Sequence, residues 1–115
     1  MQYWQFRIAE RATQIENARN LYLKAALRAD DGIEFPEPEA AMAKYYATDL
    51  VAASFAREGV QIFGAYGYTI KLESDETRYK VEEIYRDAKA AEIYEGTNEV
   101  QKLIVAREIF GRDFV

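Results

Sequence analysis

From residue 3 to 29 the chain carries apolar or small side chains at Trp4, Ile8, Ala12, Ile15, Ala18, Tyr22 and Ala25, in steps of three or four. That spacing puts them on one face of a helix, because 3.6 residues per turn brings every third or fourth side chain back to the same side. A helix of this length dictates the rest of the architecture. Its apolar stripe has to be covered by other long helices, and the remainder of the chain supplies them. Asp30-Asp31-Gly32 ends the first helix, since glycine takes the left-handed conformation that closes a helix. The only two prolines stand in the linker Glu34-Phe35-Pro36-Glu37-Pro38-Glu39, and each biases its predecessor out of the helical region. Pro38 and Glu39 also suit the first turn of a new helix.

The second helix is predicted from about residue 38 to Phe63, with Met42, Tyr46, Leu50, Ala53, Val60 and Phe63 as its buried stripe. Gly64 and Gly67 stop it, among Tyr66 and Tyr68. Thr69 to Arg78 shows no clear period and reads as a loop or short irregular excursion. A third helix is expected from about Lys80 to Ala91, and a fourth from Asn98 to Phe110 with Thr97 as N-cap and Gly111 as stop. Val100, Leu103, Ile104 and Phe110 form its apolar side. Alanines spread over all four segments allow close helix approach. The expected fold is all-α, an antiparallel up-and-down four-helix bundle, formed by residues 1–115 as one domain.

Composition limits the chemistry. The chain has 115 residues, no histidine and no cysteine, which excludes disulfides, thiolate nucleophiles, and the commonest metal ligand and general base. Acid–base work falls to carboxylates, Lys or Tyr, and no metal site is expected. A di-iron centre on a helical bundle needs Glu-x-x-His pairs and is ruled out with them. Fifteen Lys and Arg against twenty Asp and Glu give a net charge of −5 with interspersed signs, no footprint for nucleic acid. No apolar run reaches the roughly 18–20 residues of a membrane span, and no signal-peptide layout is seen, so a soluble chain is expected.

Two segments stand out as candidate sites. Gln61-Ile62-Phe63-Gly64-Ala65-Tyr66-Gly67-Tyr68 concentrates glycines, an amide and aromatics at a helix end, where backbone can approach a ligand and free N–H groups can hold an anion. The alternative is a helix C-cap whose aromatics pack on the bundle. In Ile93-Tyr94-Glu95-Gly96-Thr97-Asn98-Glu99, Glu95 occupies a break between helices. Partial desolvation there raises a carboxylate's pKa and makes it able to take a weakly acidic proton, if it faces a hollow between the third and fourth helices. The alternative is favourable first-turn charge. Tyr85-Arg86-Asp87-Ala88-Lys89 sets Arg and Asp side by side on a helix where they do not face each other, leaving either a solvated face or ion pairs elsewhere.

Taken in order, Gln5-Phe6-Arg7-Ile8-Ala9-Glu10, Ala40-Ala41-Met42-Ala43-Lys44, Gln61 to Tyr68, Tyr85 to Lys89, and Ile93 to Gln101 with Leu103 to Glu108 resemble the C-terminal helical domain of the acyl-CoA dehydrogenase flavoproteins. The resemblance covers nearly the whole chain. It implies α,β-dehydrogenation of an acyl-CoA thioester, with the α-proton taken by a carboxylate, the β-hydride passed to FAD, and electrons leaving through an electron-transfer flavoprotein. By this resemblance Glu95 is the base, the Gly96 N–H binds the thioester carbonyl, and Tyr94 lines the acyl pocket. Thr97 and Glu99 match positions that contact the flavin. Gln61, Ile62, Phe63, Gly64 and Ala65 match the segment contacting the adenosine-diphosphate part of FAD held mainly by a neighbouring subunit, and Gln2 matches a further FAD contact. Ala65 replaces the usual second glycine and Lys80 the usual proline, and Thr69 to Arg78 carries about seven extra residues. The family's N-terminal helical and middle β-domains are absent from this chain. The resemblance therefore implies a domain inactive by itself, a homo-oligomer (dimer or tetramer), and a cytoplasmic location, or the mitochondrial matrix in a eukaryote. The alternatives are a non-catalytic oligomerisation module and a domain of an acyl-CoA oxidase, which shares the fold.

Overall fold

The computed structural model describes residues 2–74 and 76–114, the side chain of 114 excepted. Helix α1 (Gln2–Asp30) is followed by α2 (Glu37–Tyr45), a π-helical segment (Tyr46–Ala52) and α3 (Ala53–Phe63), which form one continuous rod. A single turn, α4 (Ala65–Tyr68), precedes α5 (Lys80–Ala91) and α6 (Asn98–Phe110), and a short 3₁₀ turn (Arg112–Phe114) ends the described chain. The all-α class expected from the periodicity is what the backbone adopts. The predicted stops are also where the chain turns: Gly32, Gly64 and Gly111 all have positive φ.

Helix α1 packs on α2 and the π segment. Helix α5 lies along α3 and α6 along α2, both antiparallel to that central rod: Val81 meets Gly59, Lys102 pairs with Asp49, and Ile104 and Glu108 face Glu37 and Pro38. The third and fourth helices therefore run in the same direction, end to end, along one side of the second. Three rods result, and the molecule extends 58 Å along its longest axis.

The π segment explains why the second stripe drifts. One residue more per turn than an α-helix puts the 3.6-residue pattern out of step, so Leu50 points outward and Ala56 takes the buried position beyond it. The buried apolar residues Ala41, Ala43 and Ala56 are all on the central rod. The α1 stripe faces α2 but does not close on it. Ile15, Ala18, Tyr22 and Ala25 stand across from Ala40, Ala43 and Ala47 over an apolar groove of about 640 Å³. On α6, Val100, Leu103 and Phe110 remain exposed, and Ile104 alone of the predicted four is half-buried.

Thr69 to Arg78 forms a small antiparallel excursion. Lys71 bridges Arg78, Leu72 N–H donates to the Thr77 carbonyl at 2.9 Å, and Tyr79 N–H to the Ile70 carbonyl at 3.2 Å.

Candidate functional site

The break between α5 and α6 is a closed bend. Asn98 N–H reaches back over it to the Glu92 carbonyl at 3.0 Å. Inside the bend Glu95 has φ 55° and Gly96 φ 85°, two consecutive left-handed residues, of which glycine adopts this conformation freely and glutamate at a cost. The backbone N–H groups of Glu95, Gly96 and Thr97 have no acceptor among the described residues. Successive N–H groups in such a turn make a shallow anion-binding concavity. Thr97 caps α6 as predicted, its Oγ1 accepting the Val100 N–H at 3.4 Å. The Glu99 carboxyl lies below the usual carboxylate range because its own backbone N–H and the Thr97 hydroxyl donate to it.

Four residues that hold this bend were given no role by the sequence: Lys44, Asn98 and Gln101 lie in segments singled out there for other reasons, and Thr48 in none. Lys44 reaches across from α2, and its Nζ donates to the Glu92 carbonyl (3.3 Å), the Gly96 carbonyl (2.8 Å) and Asn98 Oδ1 (2.7 Å). The Thr48 hydroxyl lies 2.9 Å from the Lys44 carbonyl and 3.0 Å from the same Asn98 oxygen, and its one proton is shared between the two acceptors. Asn98 is buried, and its Nδ2 has no partner among the described residues. From α6, Gln101 Nε2 donates to the carbonyls of Glu95 (3.2 Å) and Gly96 (3.4 Å).

The hollow expected in front of Glu95 is not formed by this chain. Glu95 and Gly96 are exposed, Tyr94 is 59% exposed, and none of the three lines a groove described here. The reason is geometric: α5 and α6 lie end to end against one rod, so no helix among the described residues stands opposite the bend.

The other segment lies elsewhere. Gln61 to Ala65 sits beyond the Lys80 end of α5, and the bend sits beyond its other end. Twelve helical residues, about 18 Å, separate the two. They are two clusters, not one site. At Gly64 the chain turns with φ 59° and ψ −134°, and a side chain built there would meet open space, so the backbone is approachable. Ala65 begins an α-helical turn and is not left-handed, so the alanine in place of a second glycine strains nothing. Gln61, Ile62, Phe63 and Ala65 are all exposed. Gln61 borders two grooves. One, about 530 Å³, holds Arg7, Arg11, Arg57 and Glu58 under Tyr3 and Trp4. The other, about 640 Å³, lies between Tyr68, Tyr85, Arg57 and Arg86. In the first, Arg11 clasps Glu58 with two bonds of 2.8 Å and Arg7 donates to it as well, which draws the Glu58 carboxyl down to about 2. Gln2 is exposed at the start of α1. Arg86 bonds Glu82 one turn earlier and Lys89 bonds Glu92, so the charges of this segment pair locally on the surface.

Among the described residues no group of three or more carboxylates is placed to hold a metal, and no helix is long and apolar enough to cross a membrane. A family model of the acyl-CoA dehydrogenase C-terminal domain matches residues 1–110. The chain belongs to the acyl-CoA dehydrogenase family. An acyl-CoA dehydrogenase of Bacillus subtilis is 42% identical over 106 residues, covering 92% of this chain and 26% of the relative. A short-chain-specific acyl-CoA dehydrogenase of Megasphaera elsdenii is 48% identical over 99 residues, 86% of this chain and 24% of the relative. The butyryl-CoA dehydrogenase structure from M. elsdenii superimposes with a TM-score of 0.79 at 43% identity, covering 95% of this chain and 26% of that one. A chain from a structural study of the electron transferring flavoprotein of Acidaminococcus fermentans gives a TM-score of 0.80 at 42% identity, covering 96% and 27%. This acyl-CoA dehydrogenase domain thus spans about a quarter of the length of the proteins it matches, and the family is FAD-dependent.

Proposed function

We propose that the chain is the part of an acyl-CoA dehydrogenase that supplies the α-proton base, Glu95, with Gly96 binding the thioester carbonyl and Tyr94 bordering the acyl chain. The observation that carries the reading is the adjacency inside one bend of a carboxylate and unengaged N–H groups. A thioester α-carbon is a weak acid. Removing its proton needs a base within reach and donors waiting where negative charge develops on the carbonyl oxygen. Glu95 and the N–H of Gly96 provide both within consecutive residues. A base of this kind works in a dry site. The wall opposite the bend then comes from the remaining three quarters of such an enzyme, and the isolated chain is expected to be inactive.

The residues at the other cluster fit the pyrophosphate and ribose end of FAD. Gln61 and Arg57 present amide and guanidinium donors, and the Gly64 backbone is open to approach. We assign Gln61, Ile62, Phe63, Gly64 and Ala65 to that end, and Thr97 and Glu99 to contact with the flavin part. The separation of the clusters supports contacts with two ends of a long cofactor, or with two cofactors in a homo-oligomer. FAD, when bound, supplies the hydride acceptor. Electrons then pass to an electron-transfer flavoprotein, a partner suggested by the study in which the Acidaminococcus neighbour occurs.

A chimera tests the reading. Residues 1–115 replace the matching C-terminal quarter of the M. elsdenii short-chain enzyme, and reduction of a dye by butyryl-CoA is followed. The chimera is expected to turn over, and Glu95→Gln to lower kcat by about 10²–10⁴-fold with FAD still bound. Near-wild-type kcat in the Glu95→Gln chimera refutes the assignment of the base.

A further inference from the structure

We propose that Lys44 and Gln101 are positioning residues that force the Glu95–Gly96 bend into its left-handed conformation and aim the Gly96 N–H outward. The proposal extends the reading of Glu95 as base and Gly96 as carbonyl binder, and it rests on that reading for its catalytic meaning.

A glutamate at φ 55° is unfavourable by roughly 1–3 kcal/mol, and such a residue persists only where its surroundings over-determine it. Two sets of bonds do so here. The Lys44 ammonium has three protons, and all three are used at different stages of the bend: the end of α5 at the Glu92 carbonyl, the middle at the Gly96 carbonyl, and the first residue of α6 at Asn98 Oδ1. One half-buried side chain thereby fastens entry, apex and exit to α2. At the Glu92 carbonyl it joins the Asn98 N–H as a second donor to that helix-end oxygen. Because the Lys44 ammonium can only donate, it also fixes which way the Asn98 amide faces.

Gln101 acts from α6. Its Nε2 divides between the carbonyls of Glu95 and Gly96 and fills the space beside Gly96, where a Cβ would come within 2.7 Å of it. In a trans peptide the carbonyl and the N–H point in opposite directions. A Glu95 carbonyl held by Gln101 therefore turns the Gly96 N–H away from α6. A Gly96 carbonyl held by Lys44 and Gln101 likewise turns the Thr97 N–H outward. The two side chains act through the main chain: on this reading they set the direction of the N–H groups and not the contacts of a ligand.

The test uses the 115-residue chain and reads backbone geometry. In Lys44→Met and, separately, Gln101→Leu, the φ of Glu95 is followed through intraresidue HN–Hα couplings and NOEs. Amide exchange is followed at Tyr94 and Asn98 against the middle of α1. Both variants are expected to average out the left-handed signature at Glu95. Lys44→Met should also speed exchange at Tyr94 and Asn98 by about tenfold relative to α1. Retention of the left-handed φ in both variants overturns the proposal, as does faster exchange only in step with α1, which marks a general stabilising role. Gln101→Leu leaves Lys44 in place, so it remains informative if Lys44→Met does not fold. Glu95→Gln is expected to leave the φ of residue 95 unchanged. Loss of geometry in the positioning variants combined with an active Glu95→Gln chimera would leave this proposal standing and the base assignment fallen.

Discussion

The Glu58 carboxylate on α3 receives guanidinium hydrogen bonds from Arg7 and Arg11 on α1, and its pKa falls to about 2, chiefly through the Arg11 bonds. A folded-state pKa below the unfolded one gives stability that is present above the unfolded value, near 4.3, and is lost as pH falls through the folded value. The side chain is 17% exposed, so the contribution is at most about 3 kcal/mol before solvent screening. The urea midpoint should be flat above about pH 5 and decline between about pH 4.5 and 2. Glu58→Gln should flatten that decline and lose about 1–3 kcal/mol at pH 7, because Arg11 is buried and left without its anion. An unchanged acid limb in the variant would count against this ion pair as its source. Gly67 is a second sensitive residue. A Cβ there meets the Val60 carbonyl oxygen at 2.7 Å and its Cα at 2.9 Å, main-chain atoms with no rotamer to escape into. Gly67→Ala should destabilise by about 1–3 kcal/mol, seen as a lower melting temperature. The sequence marked the break in helical periodicity at Glu95-Gly96-Thr97, and it gave Gly67 as a helix stop, not as a residue packed against the Val60 main chain. It did not expose Lys44 or Arg11. A lysine or arginine on a helix is ordinarily solvated, and the acceptors of Lys44 are mostly main-chain carbonyls, which leave no trace in side-chain identity.

At the scale of elements, the helix ends were legible because each has a local chemical cause: Gly32, Gly64 and Gly111 close helices, and Thr97 opens one. Thr97→Ala removes the Val100 N–H acceptor and the hydroxyl that donates to Glu99. It should cost about 1 kcal/mol, with faster amide exchange concentrated in the first turn of α6. Uniform loss along α5 and α6 would show instead that the two helices unfold as a unit. Two features were not legible. The π segment contains neither proline nor glycine, and its seven residues continue a plausible α-helical pattern, so its only mark is the displaced Leu50. The direction of α6 relative to α5 also escaped, since periodicity defines which face of a helix is apolar and says nothing of whether the next helix folds back or runs on. The Asn98 N–H bond to the Glu92 carbonyl and the Lys44 bonds keep the two in line.

For the whole molecule the decisive quantity is surface. A compact monomer of 115 residues exposes about 6,500 Å² and has a radius of gyration near 13 Å. This chain exposes 8577 Å², with a radius of gyration of 17.7 Å. The excess, about 2,100 Å², is well above the roughly 800 Å² that each partner buries in a standard stable interface. Much of it is apolar: Tyr3, Phe6, Ile8, Tyr22 and Leu27 along α1, and Ile93, Tyr94, Ile109 and Phe110 along the opposite rod, are all more than half exposed. Exposed apolar side chains in this number favour association. The expected state at micromolar concentration is a dimer or tetramer, with α1 contributing to the contact. Light scattering after size exclusion should give a mass of at least twice the chain. Ile8→Glu combined with Leu27→Glu should return it to one, with helical content by circular dichroism unchanged, because both side chains are more than half exposed. A wild-type monomer at every concentration, with an X-ray-scattering radius of gyration near 17.7 Å, would mean that this exposed apolar surface is tolerated in water and does not drive self-association.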